Sequence, residues 1–153
     1  MESIPDPELF RELERAEAAP YVDYPPTPWW YFPAAGAWFA GTTGIQGLTD
    51  DHLPLAIALL VVLLVALGVF CGWYTRYRGV MPSMFSRTPR EMRRTFLVYF
   101  VGVALVFGIV WWTASAAGWP AASGVMFVLA TGGLILHERS YGAAAARIRD
   151  RLS

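Results

Sequence analysis

The chain has 153 residues, the length of a single domain, yet 56% of them are hydrophobic and only 16% are charged. With a mean hydropathy of +0.40, it has more apolar surface than one buried core can hide, which argues against a soluble globule. The formal net charge is zero, so no overall field favours nucleic acid. A lone cysteine, Cys71, excludes an internal disulfide.

The first 27 residues are predicted to form a cytoplasmic segment that begins with a short acidic, amphipathic helix. Asp6 suits the helix cap, Pro7 suits the first helical position, and apolar residues recur at helical spacing until Pro20. The following sequence, YVDYPPTP, is rich in proline and is predicted to be extended. We therefore expect a helix and a stiff spacer in residues 1–27.

The first apolar segment covers residues 29–48 and follows Thr27 and Pro28, a typical helix start. Pro33 and four glycines lower its hydropathy and helix propensity, although lipid tolerates both residue types better than water does. A membrane span is the favoured interpretation, with a re-entrant or interfacial segment and a soluble-type helix as alternatives. A cleaved leader fits badly, because the preceding residues are acidic and the apolar run starts late.

Three further segments have the length and apolarity of transmembrane helices. Residues 53–74, 95–117 and 120–137 are free of charged side chains, and a span needs about 20 apolar residues. Together with the first segment they predict a four-helix transmembrane domain over residues 28–138.

Arginine asymmetry predicts how the domain is oriented. All twelve basic residues are arginine, and the two short connections at the other side carry none. The positive-inside rule then places both termini and the loop 75–94 in the cytoplasm. The predicted fold is therefore an all-α integral membrane protein with two antiparallel hairpins. The arginines of the loop are Arg76, Arg78, Arg87, Arg90, Arg93 and Arg94.

The loop and the C-terminal tail contain further helix signals. Thr88 and Glu91 form a capping box, so the third helix is predicted to begin at about Pro89. In residues 139–153, apolar side chains recur at helical spacing among arginines, which predicts a cytoplasmic amphipathic helix along the inner leaflet.

Aromatic residues are predicted to form belts at the two membrane boundaries. The inner belt comprises Trp29, Trp30, Tyr31, Trp73, Tyr74 and Tyr77, and the outer belt comprises Trp111, Trp112 and Trp119.

Helices pack in lipid through small residues that allow close backbone approach. Such residues predict a bundle with the first, third and fourth helices closest together, and a Leu-rich second helix that faces lipid or a partner. The predicted packing residues are Ala37, Ala40, Gly44 and Gly47 on the first helix, Ala104 and Gly108 on the third, and Ser123, Ala130 and Gly133 on the fourth.

Residues with catalytic or metal-binding chemistry are few. No charged residue lies inside a predicted span, which argues against a proton-coupled transporter. The two histidines, His52 and His137, are predicted at opposite membrane faces, which excludes haem held between them. His52 lies beside Asp50 and Asp51, where a solvated turn is favoured over a cation site. His137 and Glu138 suit a helix-end pair better than a catalytic acid or base. We predict no catalytic, cofactor or metal site.

The arginine loop allows two interpretations. It either sets the topology and touches anionic lipid, which is favoured, or recognises a phosphate of a headgroup, a substrate or a partner. Gln46 is predicted to make an interhelical hydrogen bond, and Cys71 to fill a small apolar space.

The sequences PTPWWYFPAAGAWFAG and YTRYRG, in a lysine-free context rich in Ala, Gly and Arg, resemble small multi-pass membrane proteins of GC-rich, actinobacterial-type bacteria. This likeness is one of composition and implies no function. Small multidrug exporters share the size and span number but carry a membrane-embedded Glu, and quinone-linked thiol oxidoreductases need a cysteine pair; both features are missing here.

The favoured functional hypothesis is a non-enzymatic accessory, assembly or scaffold subunit of a larger complex in the bacterial cytoplasmic membrane. Its partners would be anionic lipids at the cytoplasmic face and other membrane subunits or further copies of itself. The alternative is a small oligomeric channel or transporter for a neutral solute, lined by hydroxyl and amide groups. A weaker option is a lipid-modifying enzyme that uses the arginine loop.

Overall fold

A computed structural model describes residues 25–78 and 90–152, with the backbone alone for Arg78, residues 90–94 and Leu152. All regular secondary structure in these ranges is helical, and they contain no strand. The helices are α1 (Tyr31–Gln46), α2 (Leu53–Arg78), α3 (Arg90–Ala117) and α4 (Trp119–Leu152). The predicted N-terminal helix, the Thr88 cap and Arg87 lie outside the described residues.

Three of the four helices are long and apolar enough to cross a membrane. They comprise Leu53–Tyr77, Thr95–Ala117 and Trp119–Arg151, which confirms the membrane class predicted from hydropathy. α1 has 16 residues, or about 24 Å at 1.5 Å per residue, less than the roughly 30 Å of a hydrocarbon core. A complete crossing by α1 therefore stays a prediction.

A glycine turn connects α3 to α4. Gly118 has a φ of 83°, in the left-handed region that favours glycine, and its N–H donates to Ala114 O at 3.0 Å. The two helices then run back along each other. Late in α3, Val110 packs with Ala122 and Met126 of early α4.

α4 is the central helix of the described structure. α1 packs along one side of it and α3 along another, whereas α2 contacts only α1. The order in space is therefore α2, α1, α4, α3, an open row in which α1 and α3 do not contact directly. This differs from the compact bundle expected from residue size, because small residues on both sides of α4 allow it to pack against two helices.

The end of α4 also differs from expectation. A separate amphipathic helix was predicted for residues 139–153, but α4 continues unbroken for 34 residues, about 51 Å. After Pro120 there is no further proline to stop it. Ala145 and Ile148, expected along the leaflet, are 0% exposed and pack near Phe96 and Tyr141.

Candidate functional site

An apolar groove lies between α3 and α4, and it is called here the α3–α4 groove. Its volume is about 420 Å³, within the range of ligand-binding clefts. α1 contributes Phe39 to one wall. The lining residues are Phe39, Thr95, Val98, Tyr99, Gly102, Val103, Val106, Phe107, Met126, Leu129, Ala130, Gly133, Leu134, Leu136, His137 and Ser140.

Small residues create the depth of the groove. A Cβ atom on Gly102 of α3 or Gly133 of α4 would have no neighbour within 4 Å, and Ala130 lies one turn from Gly133. Larger side chains at these positions would fill the space between the helices. The α3–α4 groove is therefore open at its centre because three positions carry little or no side chain.

One end of the groove is polar. Thr95 and Tyr99 of α3 meet His137 and Ser140 of α4, and the rings of Tyr99 and His137 lie 4.6 Å apart. Ser140 Oγ donates to the His137 carbonyl at 2.8 Å. The other end, around Val106, is lined by apolar side chains, so the groove is amphipathic along its length.

Polar contacts bring three helices together at this same end. Thr27 Oγ1, before α1, donates to Glu138 Oε1 of α4 at 2.7 Å, and Tyr77 Oη of α2 donates to Pro26 O at 3.1 Å. Because Glu138 directly follows His137, the polar end of the groove lies at this level. We call this end of the row, marked by Pro26, Tyr77 and Glu138, the arginine end.

Every arginine on the described backbone lies at or beyond the arginine end. α3 starts there, because Phe96 packs against the last turns of α4. Of the predicted phosphate contacts, Arg76 is exposed, and only backbone positions are described for Arg78 and the arginines of early α3. The arginines concerned are Arg76, Arg78, Arg90, Arg93, Arg94, Arg139, Arg147, Arg149 and Arg151.

Except for Trp29, which is 81% exposed, the aromatic residues predicted as an inner belt form a cluster between α1 and α2. The rings of Trp30 and Trp73 lie 5.0 Å apart, and Tyr31 lies 5.8 Å from Phe70. Trp73 and Tyr77 stack at 5.1 Å with an interplanar angle of 14°. This cluster fixes the end of α2 against the start of α1, at the arginine end.

The predicted packing residues have different environments. On α1, a Cβ atom at Gly44 would lie 3.3 Å from Ser123 Oγ, and one at Gly47 would lie 2.8 Å from Trp119 Cβ. Ala40 O accepts a hydrogen bond from Ser123 Oγ at 2.6 Å. These contacts join α1 to α4.

Three other predicted packing residues face away from the described helices, and two line the α3–α4 groove. Ala37 and Ala104 are exposed, and a Cβ atom on Gly108 would meet nothing within 4 Å. Ala130 packs beside Met126 and, like Gly133, lines the groove.

Two residues central to the α1–α4 contact were not singled out from the sequence. A Cβ atom on Gly36 would overlap Thr131 Oγ1 and lie 3.1 Å from Phe127 O. Thr131 Oγ1 is buried and has no hydrogen-bond partner among the described residues. The spacing of Gly36 and Gly44, two helical turns apart, is the signal that would have identified this face.

Residues 25–78 and 90–152 contain no cluster of potential metal ligands. No group of three His, Cys, Asp or Glu side chains in these ranges is arranged to hold a metal ion, the turn with Asp50, Asp51 and His52 included. Cys71 is exposed.

No known protein family, curated protein or solved structure matches the chain.

Proposed function

We propose that the protein is a non-enzymatic integral membrane protein of the bacterial cytoplasmic membrane, and that it acts as an accessory, assembly or scaffold subunit of a larger membrane complex. The observation that carries this proposal is an unfilled helix-packing face on α2.

α2 is the least covered helix of the row. It contacts only α1, and Val65 and Val69 are 62% and 70% exposed. Gly68 and Gly72 form a GxxxG pattern, and a Cβ atom on either would have no neighbour within 4 Å. In lipid this pattern allows two helix backbones to approach closely. Because no described helix uses it, a helix of another subunit is its expected partner.

α3 presents a second face of this kind. Ala104 and Gly108 lie one turn apart and are exposed, with open space at Gly108. Their spacing also suits close helix packing. Two such faces, on the two outer helices of the row, suit a subunit that joins neighbours on both sides.

The proposed topology is four transmembrane helices as two antiparallel hairpins, with both termini in the cytoplasm. The collection of arginines at one end supports it through the positive-inside rule. Contacts of α1 with α4 support a full crossing by the first segment. They extend from Trp119, beside Gly47, to Glu138, bonded to Thr27, and this part of α4 is about 28 Å long, close to the hydrocarbon thickness.

The alternative, an oligomeric channel or transporter for a neutral solute, has less support. Several hydroxyl groups expected to line a pathway donate to carbonyl groups of their own helix. Thr43 bonds Phe39 O, Thr113 bonds Ile109 O, and Ser115 bonds Trp111 O. In an open row, these groups would line a pathway only between several copies of the chain.

Affinity purification in a mild detergent tests the proposal. We expect the tagged protein to co-purify in fixed stoichiometry with other membrane proteins, and the double variant Gly68→Ile/Gly72→Ile to lose them. Ala66→Ile is the matched control, because residue 66 lies about 160° around α2 from Gly68 and is also exposed. This variant should keep the complex.

A monomer that brings no stoichiometric partner would contradict the proposal. A defined homo-oligomer that conducts a neutral solute in liposomes would instead support the alternative.

A further inference from the structure

We propose that the α3–α4 groove is a specific lipid site that binds one acyl chain of an anionic phospholipid, with the phosphate at the polar end beside His137. This site does not depend on the proposed subunit function.

The shape of the groove suits a hydrocarbon chain. Its lining on α4 extends from Met126 to Ser140, about 21 Å along the helix axis. Its volume is about 420 Å³, and its lining over most of this length is apolar. One extended acyl chain can lie along such a groove.

The polar end presents side chains that can form hydrogen bonds to a ligand. Thr95 is only 9% exposed, and its hydroxyl shares this end of the groove with the Tyr99 hydroxyl and the His137 ring. All three residues line the groove. Polar groups in apolar surroundings are normally paired, so a ligand with polar atoms at this end would satisfy them.

The charge distribution favours an anionic headgroup. Arg139 is exposed two residues after His137, and Arg93 and Arg94 directly precede Thr95 in sequence. Among the side chains that the structure describes, no acidic one lines the groove, and the nearby Glu138 carboxylate already accepts a hydrogen bond from Thr27. Arginine pairs well with phosphate, and basic pockets on the cytoplasmic side of membrane helices bind anionic lipid heads.

Native mass spectrometry of the delipidated protein, titrated with phosphatidylglycerol or phosphatidylcholine, tests the proposal. We expect one tightly bound phosphatidylglycerol per chain, and phosphatidylcholine weaker by about tenfold. Gly133→Leu and Gly102→Leu, which place a side chain in the open groove, should each weaken phosphatidylglycerol binding by about tenfold or more. The matched control is Gly124→Leu, since Gly124 also faces open space but does not line the groove; it should bind as the unmodified protein does.

Two head-region variants test the polar end. Tyr99→Phe and Arg139→Gln should reduce the preference for phosphatidylglycerol over phosphatidylcholine while leaving the helical content measured by circular dichroism unchanged.

Equal phosphatidylglycerol binding by the groove-filling variants and Gly124→Leu would overturn the proposal, as would equal affinity for the two lipids. Loss of a co-purifying membrane protein from Gly133→Leu, with no lipid bound to the unmodified protein, would assign the groove to a protein partner instead. The Gly68→Ile/Gly72→Ile variant should bind phosphatidylglycerol normally, so failure of the subunit proposal can be told apart from failure of this one.

Discussion

At the scale of single residues, the absence of a side chain decides how closely helices approach. Gly36 of α1 faces Thr131 and the Phe127 carbonyl of α4, where a methyl group has no room. Gly41, on the other side of α1, would place a Cβ atom 3.5 Å from Leu63 Cδ1, an ordinary contact distance. The two glycines of one helix therefore differ in function, although they look alike in the sequence.

We expect Gly36→Ala to destabilise the protein by about 1–3 kcal/mol, because the added methyl group overpacks the contact between α1 and α4. Gly41→Ala should be neutral or slightly stabilising, since alanine favours helix by about 1 kcal/mol over glycine. Reversible unfolding in mixed detergent micelles, followed by circular dichroism, measures both. Equal loss of stability in the two variants would show that the Gly36 contact is not formed.

At the scale of helices, α1 is short, and contacts with neighbouring helices stabilise it. Its 16 residues are interrupted by Pro33 and three glycines, and it gains contacts from α4 along one side and from the aromatic cluster of α2 on another. Interhelical hydrogen bonds add to this packing: Trp38 Nε1 donates to Leu63 O of α2 at 3.2 Å, and Ser123 Oγ of α4 donates to Ala40 O.

The bond of Ser123 allows a paired test. Ser123→Ala removes an interhelical hydrogen bond and should cost about 0.6 kcal/mol, with an upper value of about 1.7 kcal/mol, as for such bonds in other membrane proteins. Ser115→Ala is the control, because Ser115 Oγ bonds Trp111 O in its own helix and its loss should not loosen helix packing. Unfolding in mixed micelles measures the difference between the two variants, which should vanish if α1 does not pack on α4.

At the scale of the whole molecule, the two ends of the row of helices differ in charge. The arginines lie at one end of the row, whereas the opposite end carries Asp50 and Asp51 and no arginine among the described residues. α1, α4 and α3 together line a groove, and no residue of α2 is among its described lining. Such an open row suits a protein that completes its packing with lipid and with other subunits.

Cysteine accessibility tests the proposed direction. In a Cys71→Ala background, we expect an impermeant maleimide to label Asp50→Cys in intact cells, and Ser3→Cys and Ala146→Cys only after the membrane is opened. This result follows from arginines on the cytoplasmic side and from four crossings. Labelling of Ser3→Cys together with Asp50→Cys would mean that α1 does not cross, which leaves three spans and an external N-terminus.

The sequence indicates which residues of the candidate site are small or polar, but it does not predict how they come together. The small size of Ala130 and Gly133 predicts helix packing, whereas both residues line a groove in the structure. His137 was interpreted as a helix-end residue, and its position beside Tyr99 of α3 depends on the register between two helices. Gly36 was missed because the packing face of α1 was placed about one residue away, on Ala37.

The sequence by itself determined that this is a helical membrane protein, where its long apolar helices lie and at which end its arginines collect. These properties depend on the hydropathy and charge summed over about 20 neighbouring residues. They can therefore be predicted from the free energy of transfer to lipid and from local helix propensity. Only the tertiary structure decided that α4 is central, that α2 contacts α1 alone among the described helices, and that α3 and α4 leave a groove between them. The physical reason is that lipid is as apolar as the helices, so the choice of neighbours depends on the fit between distant surfaces.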